Sequence, residues 1–244
     1  MKISKPSDIV HKIQLYRLLT KIADSKIINH VFFKGGSCAA MLGYLDRFSV
    51  DLDFDIHPQS NMKEVDAVLK DIFTSLQLKV KSKSKNELFY VLQYVSQKLE
   101  RNTMKLSFVV SPYKTNTYAP FFISEIDRFV PCQTIQTMFG HKLVSLTDRF
   151  SKYYTVAGRD MYDIHHFFLK GYRYNSKIIE ERTHKTTLQY FILLTKFIKK
   201  NVTNQIITED LNYLLPIKTF QLVKKTLIKE TVMFLENEIE GLKR

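Results

Sequence analysis

An apolar run closes on Phe33-Lys34-Gly35-Gly36-Ser37, and a short apolar stretch then leads to Arg47-Phe48-Ser49-Val50-Asp51-Leu52-Asp53-Phe54-Asp55. Paired glycines ahead of a serine let the backbone turn tightly and bring N–H groups up to an anion, because no Cβ blocks the approach. In the second segment Asp51, Asp53 and Asp55 alternate with Leu52, Phe54 and Ile56. A strand has a side-chain period of two, so the carboxylates share one face and the apolar residues the other. The chain is thereby constrained to a half-buried sheet that carries a knot of negative charge beside an anion-binding turn.

Carboxylates this close repel by roughly 1 to 4 kcal/mol per pair at about 4 Å, depending on the effective dielectric. A hard divalent cation reverses the sign. Mg²⁺ takes one or two protein carboxylates together with phosphate oxygens and water. Asp51 and Asp53 are therefore the expected metal ligands, and a nucleoside triphosphate (NTP) is the expected substrate, for phosphoryl or nucleotidyl transfer. Gly36 and Ser37 are expected to hold its β and γ phosphates, with Gly35 supplying the turn. Lys34 faces either this ligand or the surface. Arg47 either clamps phosphate oxygens bidentately or pairs with one of the aspartates. Asp55 either supports the metal or lies solvated at the strand end, the latter being the preferred reading.

These residues resemble the Gly-Gly-Ser and Asp-x-Asp signature of the DNA polymerase β nucleotidyltransferase superfamily, and more narrowly the AbiEii/AbiGii toxin family. A second block carries the narrower likeness: His141-Lys142-Leu143-Val144-Ser145-Leu146-Thr147-Asp148-Arg149, then Gly158-Arg159-Asp160-Met161-Tyr162-Asp163-Ile164. The resemblance implies an α+β fold, a mixed-sheet nucleotidyltransferase core followed by a helical domain. It implies an enzyme that moves a nucleoside monophosphate from an NTP to an acceptor, with release of pyrophosphate and the 3′ end of a tRNA as the expected acceptor. It further implies the toxin of a type IV toxin–antitoxin or phage-defence system, with a cognate antitoxin. Lys142 and Asp160 fall where the family has functional residues. On a helix Lys142 and Arg149 lie two turns apart on one face, from which both cations can meet a triphosphate, and Asp160 can orient Lys142 or the acceptor hydroxyl. One departure stands out: the superfamily's third carboxylate has no counterpart in Met104-Lys105-Leu106-Ser107-Phe108, the best candidate strand. Two other readings follow, a nucleotide- or RNA-binding module with weak turnover, and transfer to a protein.

The 37 Lys and Arg exceed the 24 Asp and Glu by 13, which points to a polyanionic partner such as RNA, since cations that neutralise phosphates release counterions. No apolar run approaches the roughly 18 to 20 residues of a membrane span, so no membrane association and a cytoplasmic location are expected. Cys38 and Cys132 lie outside any Cys-x-x-Cys pattern, and Cys38 reads as a small buried hydrophobe. His165 and His166, adjacent rather than at metal spacing, read as helix surface and core.

Ser7 and the apolar spacing after it predict a helix to about residue 24. Strands are predicted over 27–33, 49–56, 78–83, 88–95 and 104–110, and a helix opened by Asn61 runs to about 76. From about 134 the pattern turns helical, over 134–152, 160–169, 178–200, 208–214 and 217–242. The expected division is a catalytic core over 1–130 and a helical domain over 131–244 that completes the active-site cleft.

Overall fold

The computed structural model describes residues 1, 3, 5, 6, 8–95 and 101–244; Ser7, expected to open the first helix, lies outside them. The chain falls into two compact units, Met1–Thr134 and Ile135–Arg244.

The first unit is built on one mixed sheet. Helix α1 (Asp8–Ala23) and a 3₁₀ turn (Lys26–His30) lead into β1 (Val31–Lys34), α2 (Gly35–Met41) and β2 (Leu52–Ile56). Then come α3 (Met62–Ser75), β3 (Lys79–Lys83), β4 (Leu88–Gln93), β5 (Thr103–Val110), β6 (Tyr118–Ile123) and β7 (Arg128–Gln133). Among the described residues the sheet has seven strands in the order β3-β4-β5-β2-β1-β7-β6. Strand β2 runs antiparallel to β1 and parallel to β5. That register lines up Phe33, Phe54 and Phe108 on three neighbouring strands, with ring centroids 5.1 and 4.8 Å apart. All three rings are buried, and they anchor the strand that carries the aspartates. The Asn61 side chain accepts the N–H groups of Lys63 and Glu64, satisfying two donors that a helix start leaves unpaired.

Three expectations are corrected in this unit. Residues 26–30 form a 3₁₀ turn, so the strand before the glycines is short. Strand β2 begins at Leu52, which places Asp51 at its entrance. Strands β6 and β7 were not anticipated, because Pro120 and Pro131 argue against strand; the two prolines sit opposite each other in the β6–β7 pairing.

The second unit is helical: α4 (Ile135–Tyr153), α5 (Gly158–Leu169), α6 (Ser176–Thr183), α7 (Thr187–Asn201), α8 (Asn204–Leu211) and α9 (Ile217–Lys243). The single helix expected over 178–200 is two. His184 takes a left-handed conformation with φ 55° and ends α6, and Thr186 opens α7 through a reciprocal capping box with Gln189. Helix α8 starts earlier than expected because Thr203 caps it. A Cβ on Gly158 would stand 2.9 Å from the Ile206 carbonyl oxygen, so only glycine lets α5 begin against α8. Among the described residues no helix is long and apolar enough to cross a membrane.

Candidate active site

In the first unit the turn from β1 into α2 is made by Gly35, whose φ of +78° belongs to the left-handed region that glycine enters without strain. A Cβ here would lie 3.1 Å from Asp53 Oδ2, and one on Gly36 would lie 2.8 Å from an Arg47 guanidinium nitrogen. The glycine pair is thus the floor on which Asp53 and Arg47 rest. Ser37 is buried; its hydroxyl donates to the Asp51 carbonyl and lies 2.9 Å from Ser49 Oγ. Arg47 is buried as well and donates from Nη1 to the Phe48 carbonyl at 3.0 Å.

Asp51 and Asp53 are both half-exposed. Asp51 accepts the Lys105 N–H from β5 at 3.3 Å, and Asp53 stands between Lys34 on β1 and Ser107 on β5. The register therefore places Ser107 where a third carboxylate would flank Asp53. Among the described residues no group of three or more His, Cys, Asp or Glu is arranged to hold a metal. Two neighbouring carboxylates nonetheless fit Mg²⁺, which completes its shell with phosphate oxygens and water.

Asp55 corrects the sequence reading. It is 1% exposed, not solvated, and accepts Lys34 Nζ at 2.6 Å, Gln133 Nε2 at 2.7 Å and Tyr118 Oη at 2.9 Å. Burial and then the Asp55 charge push the Tyr118 hydroxyl well above its usual pKa, so it stays a donor. With these three donors Asp55 fixes Lys34, the residue that enters the glycine turn.

His11 on α1 is a residue that sequence reasoning missed. It is buried, its Nε2 donates to the Val50 carbonyl at 2.8 Å, and its Nδ1 lies 2.8 Å from the Tyr94 hydroxyl. Burial lowers its pKa. The only sequence signal was a histidine amid the apolar positions of an amphipathic helix. Cys38 and Cys132 are both buried, and burial followed by the neighbouring Cys132 raises the Cys38 thiol well above its ordinary value.

The second unit gathers Lys142, Arg149, Asp160 and Asp163. Lys142 Nζ lies 2.8 Å from Asp160 and 2.9 Å from Asp163, and Arg149 Nη2 lies 3.1 Å from the other Asp160 oxygen. Two helical turns on α4 bring both cations to one carboxylate at the start of α5. Burial by itself would raise the pKa of Asp160, but the Lys142 and Arg149 charges prevail and hold it well below the usual carboxylate range. Nearby on α4, Asp148 is bound by Arg182, which also reaches His141 Nδ1 at 2.8 Å. His165 and His166 are both buried, and His165 Nε2 meets Glu230 at 2.6 Å. Tyr153 and Tyr154 are exposed.

An Asp-bearing strand fed by a glycine turn, in a mixed sheet followed by helices, defines a nucleotidyltransferase fold. Solved structures share it. JHP933 from Helicobacter pylori is 18% identical, with 99% of this chain and 98% of that one covered and a TM-score of 0.56. The nucleotidyltransferase toxin MenT4 (Rv2826c) from Mycobacterium tuberculosis H37Rv is 15% identical over 94% of this chain and 84% of that one, with a TM-score of 0.55. An antigenic nucleotidyltransferase-like protein from Paracoccidioides brasiliensis is 13% identical over 87% and 97%, with a TM-score of 0.50. At such identities the likeness shows the fold alone. No curated protein matches the sequence. The family follows from the sequence itself: residues 17–222 match the model of the nucleotidyl transferase AbiEii toxin of type IV toxin–antitoxin systems. The chain belongs to that family and is a nucleotidyltransferase.

Proposed function

We propose that this enzyme transfers a nucleoside monophosphate from an NTP to an RNA 3′ hydroxyl, with the tRNA 3′ end as the favoured acceptor, and that Asp51 and Asp53 hold the Mg²⁺ it needs. The observation that carries this reading is the pair of half-exposed carboxylates beside a left-handed Gly35 turn, in a chain whose formal charge is +13. Mg²⁺, when bound, neutralises charge on the triphosphate and its leaving group. In the transfer the acceptor oxygen forms a bond to the α-phosphorus. The bond from that phosphorus to the bridging oxygen breaks, pyrophosphate leaves, and the hydroxyl proton passes to a carboxylate or to solvent.

Gly35 and Gly36 approach the phosphates by backbone, while the buried Ser37 hydroxyl steadies the Asp51 carbonyl. Arg47, seated on Gly36, and Lys34, held by Asp55, set the charge around the turn. Lys142, Arg149 and Asp160 are assigned to the same reaction by their place in the family's second motif, with Asp160 keeping both cations oriented. A catalytic core over 1–130 and a helical domain over 131–244, a cytoplasmic location and a role in phage defence against a cognate antitoxin complete the proposal. Ser107 beside Asp53 supports one alternative, a nucleotide-binding protein of weak turnover.

Incubation with each α-labelled NTP, Mg²⁺, total tRNA and a protein extract tests these readings. Label on RNA is expected. Label on protein overturns the acceptor assignment, and saturable NTP binding with no transfer favours the alternative.

A further inference from the structure

The register of the sheet continues the aspartate site onto an open surface. On β4, Leu88, Tyr90 and Leu92 are buried, and the Tyr90 ring meets Phe73 of α3 edge-on at 5.1 Å. The alternate residues Phe89, Val91 and Gln93 point to the opposite face and are half-exposed. Strand β5 repeats the pattern, with Met104, Leu106 and Phe108 buried, Ser107 half-exposed and Lys105 exposed. Across this open face Asp53 is registered with Ser107, Ser107 with Phe89, Lys105 with Val91, and Gln93 with Lys79. Three strand spacings, roughly 14 Å, separate the aspartates from the sheet edge.

That edge is basic. Residues 79–85 contain Lys79, Lys81, Lys83 and Lys85 and no acidic residue, and every residue of β3 is exposed. A bulge between Val80 and Ser82 breaks the alternation at Lys81. Lys83 is held by Asp66, whereas Lys79 and Lys81 make no ion pair among the described residues.

We infer that the open face of β5 and β4 is a track for the single-stranded 3′ end of the acceptor RNA, running from Asp51 and Asp53 to the basic edge. This rests on the RNA acceptor proposed above. The terminal hydroxyl lies at the aspartates, a base near the end stacks on Phe89, and the upstream phosphates are met by Lys105, Lys81 and Lys79. The chemistry matches how proteins bind single strands without reading sequence: cations follow the backbone and an aromatic ring offers a platform to any base.

The test titrates a 5′-fluorescent single-stranded oligoribonucleotide by anisotropy over a KCl series. K79S/K81S is expected to weaken binding and to lower the slope of log affinity against log salt by about 1.4, two phosphate contacts at ~0.7 each. Phe89→Ala is expected to weaken binding at least ~5-fold with the slope unchanged, and Phe89→Tyr to retain it. Melting curves and NTP affinity of all three should match the wild type. Unchanged affinity and slope in K79S/K81S overturn the track, as does self-association of that variant with RNA binding intact, which would make the lysines guards against edge pairing. If the wild type labels protein instead of RNA, the acceptor reading falls and takes the track with it. If it labels RNA, and K79S/K81S and Phe89→Ala do so equally well, the track alone falls.

Discussion

The two units of this protein use aspartate in opposite ways. Asp51 and Asp53 sit half-exposed at the entrance and in the first pleat of β2, steadied by a backbone N–H and a glycine floor. Asp160 and Asp163 are buried and bound by Lys142, with Arg149 added on Asp160. A carboxylate left half-exposed can be reached by a cation that arrives with substrate. A carboxylate buried among fixed cations is already neutralised, and what it contributes is orientation. The difference predicts that variants of the first pair lose chemistry and keep the fold, while variants of the second lose both.

The largest effect should come from Asp53→Asn. Nucleotidyl transfer is expected to fall by at least ~10³-fold, about 4 kcal/mol on the barrier, with a melting temperature within about 2 °C of wild type. A comparable loss of stability would break the contrast. Asp160→Asn should instead cost about 3 kcal/mol in urea unfolding, because Lys142 and Arg149 then face a neutral amide. Since the folded pKa of Asp160 is depressed, its stabilisation is complete above the unfolded carboxylate range near pH 4 and is lost as pH falls below it. The stability gap between wild type and Asp160→Asn should therefore hold steady from pH 7 to about 5 and shrink below pH 4.

Asp55→Asn sharpens the comparison within β2 itself, because Asp55, like Asp160, is buried and held by a lysine. A cost of about 2 kcal/mol is expected from the weakened contacts to Lys34, Tyr118 and Gln133, measured by thermal or urea unfolding. A neutral effect would return Asp55 to the reading of a solvated strand end. The smallest effect concerns His11, whose pKa is lowered by burial. Its stabilisation is present above pH ~6.5 and lost as pH falls below that value, where the unfolded chain takes up the proton. Wild type should lose stability between pH 7 and 5 more steeply than His11→Gln does.

Local patterns that the backbone reads directly were legible in the sequence. Alternation of Leu52, Phe54 and Ile56 with aspartates is a strand signal, Gly35-Gly36 is a turn signal, and Asn61 is a cap; the turn and the cap stand where they were expected, and the strand forms over Leu52–Ile56 of the expected 49–56. The spacing of Lys142 and Arg149 put both on one helical face, and the structure shows both cations on Asp160. The break at His184 is legible too, in Thr186-x-x-Gln189 and in a polar run, 180–187, that separates Ile179 from Leu188. Strands β6 and β7 were hidden by their prolines, which the opposed pair at the sheet margin accommodates.

The sequence by itself determined most of the elements, the faces they present and the family, because periodicity, caps and short motifs act within a few residues. Only the tertiary structure decided which partner each charge would find. Asp55 is buried because Lys34, Gln133 and Tyr118, distant along the chain, meet it through the β1–β2 and β6–β7 pairings. Ser107 stands beside Asp53, and Phe89 beside Ser107, because of strand register alone. A shift of one residue would turn every side chain to the other face, and which strands become neighbours is decided by contacts between segments far apart in the chain.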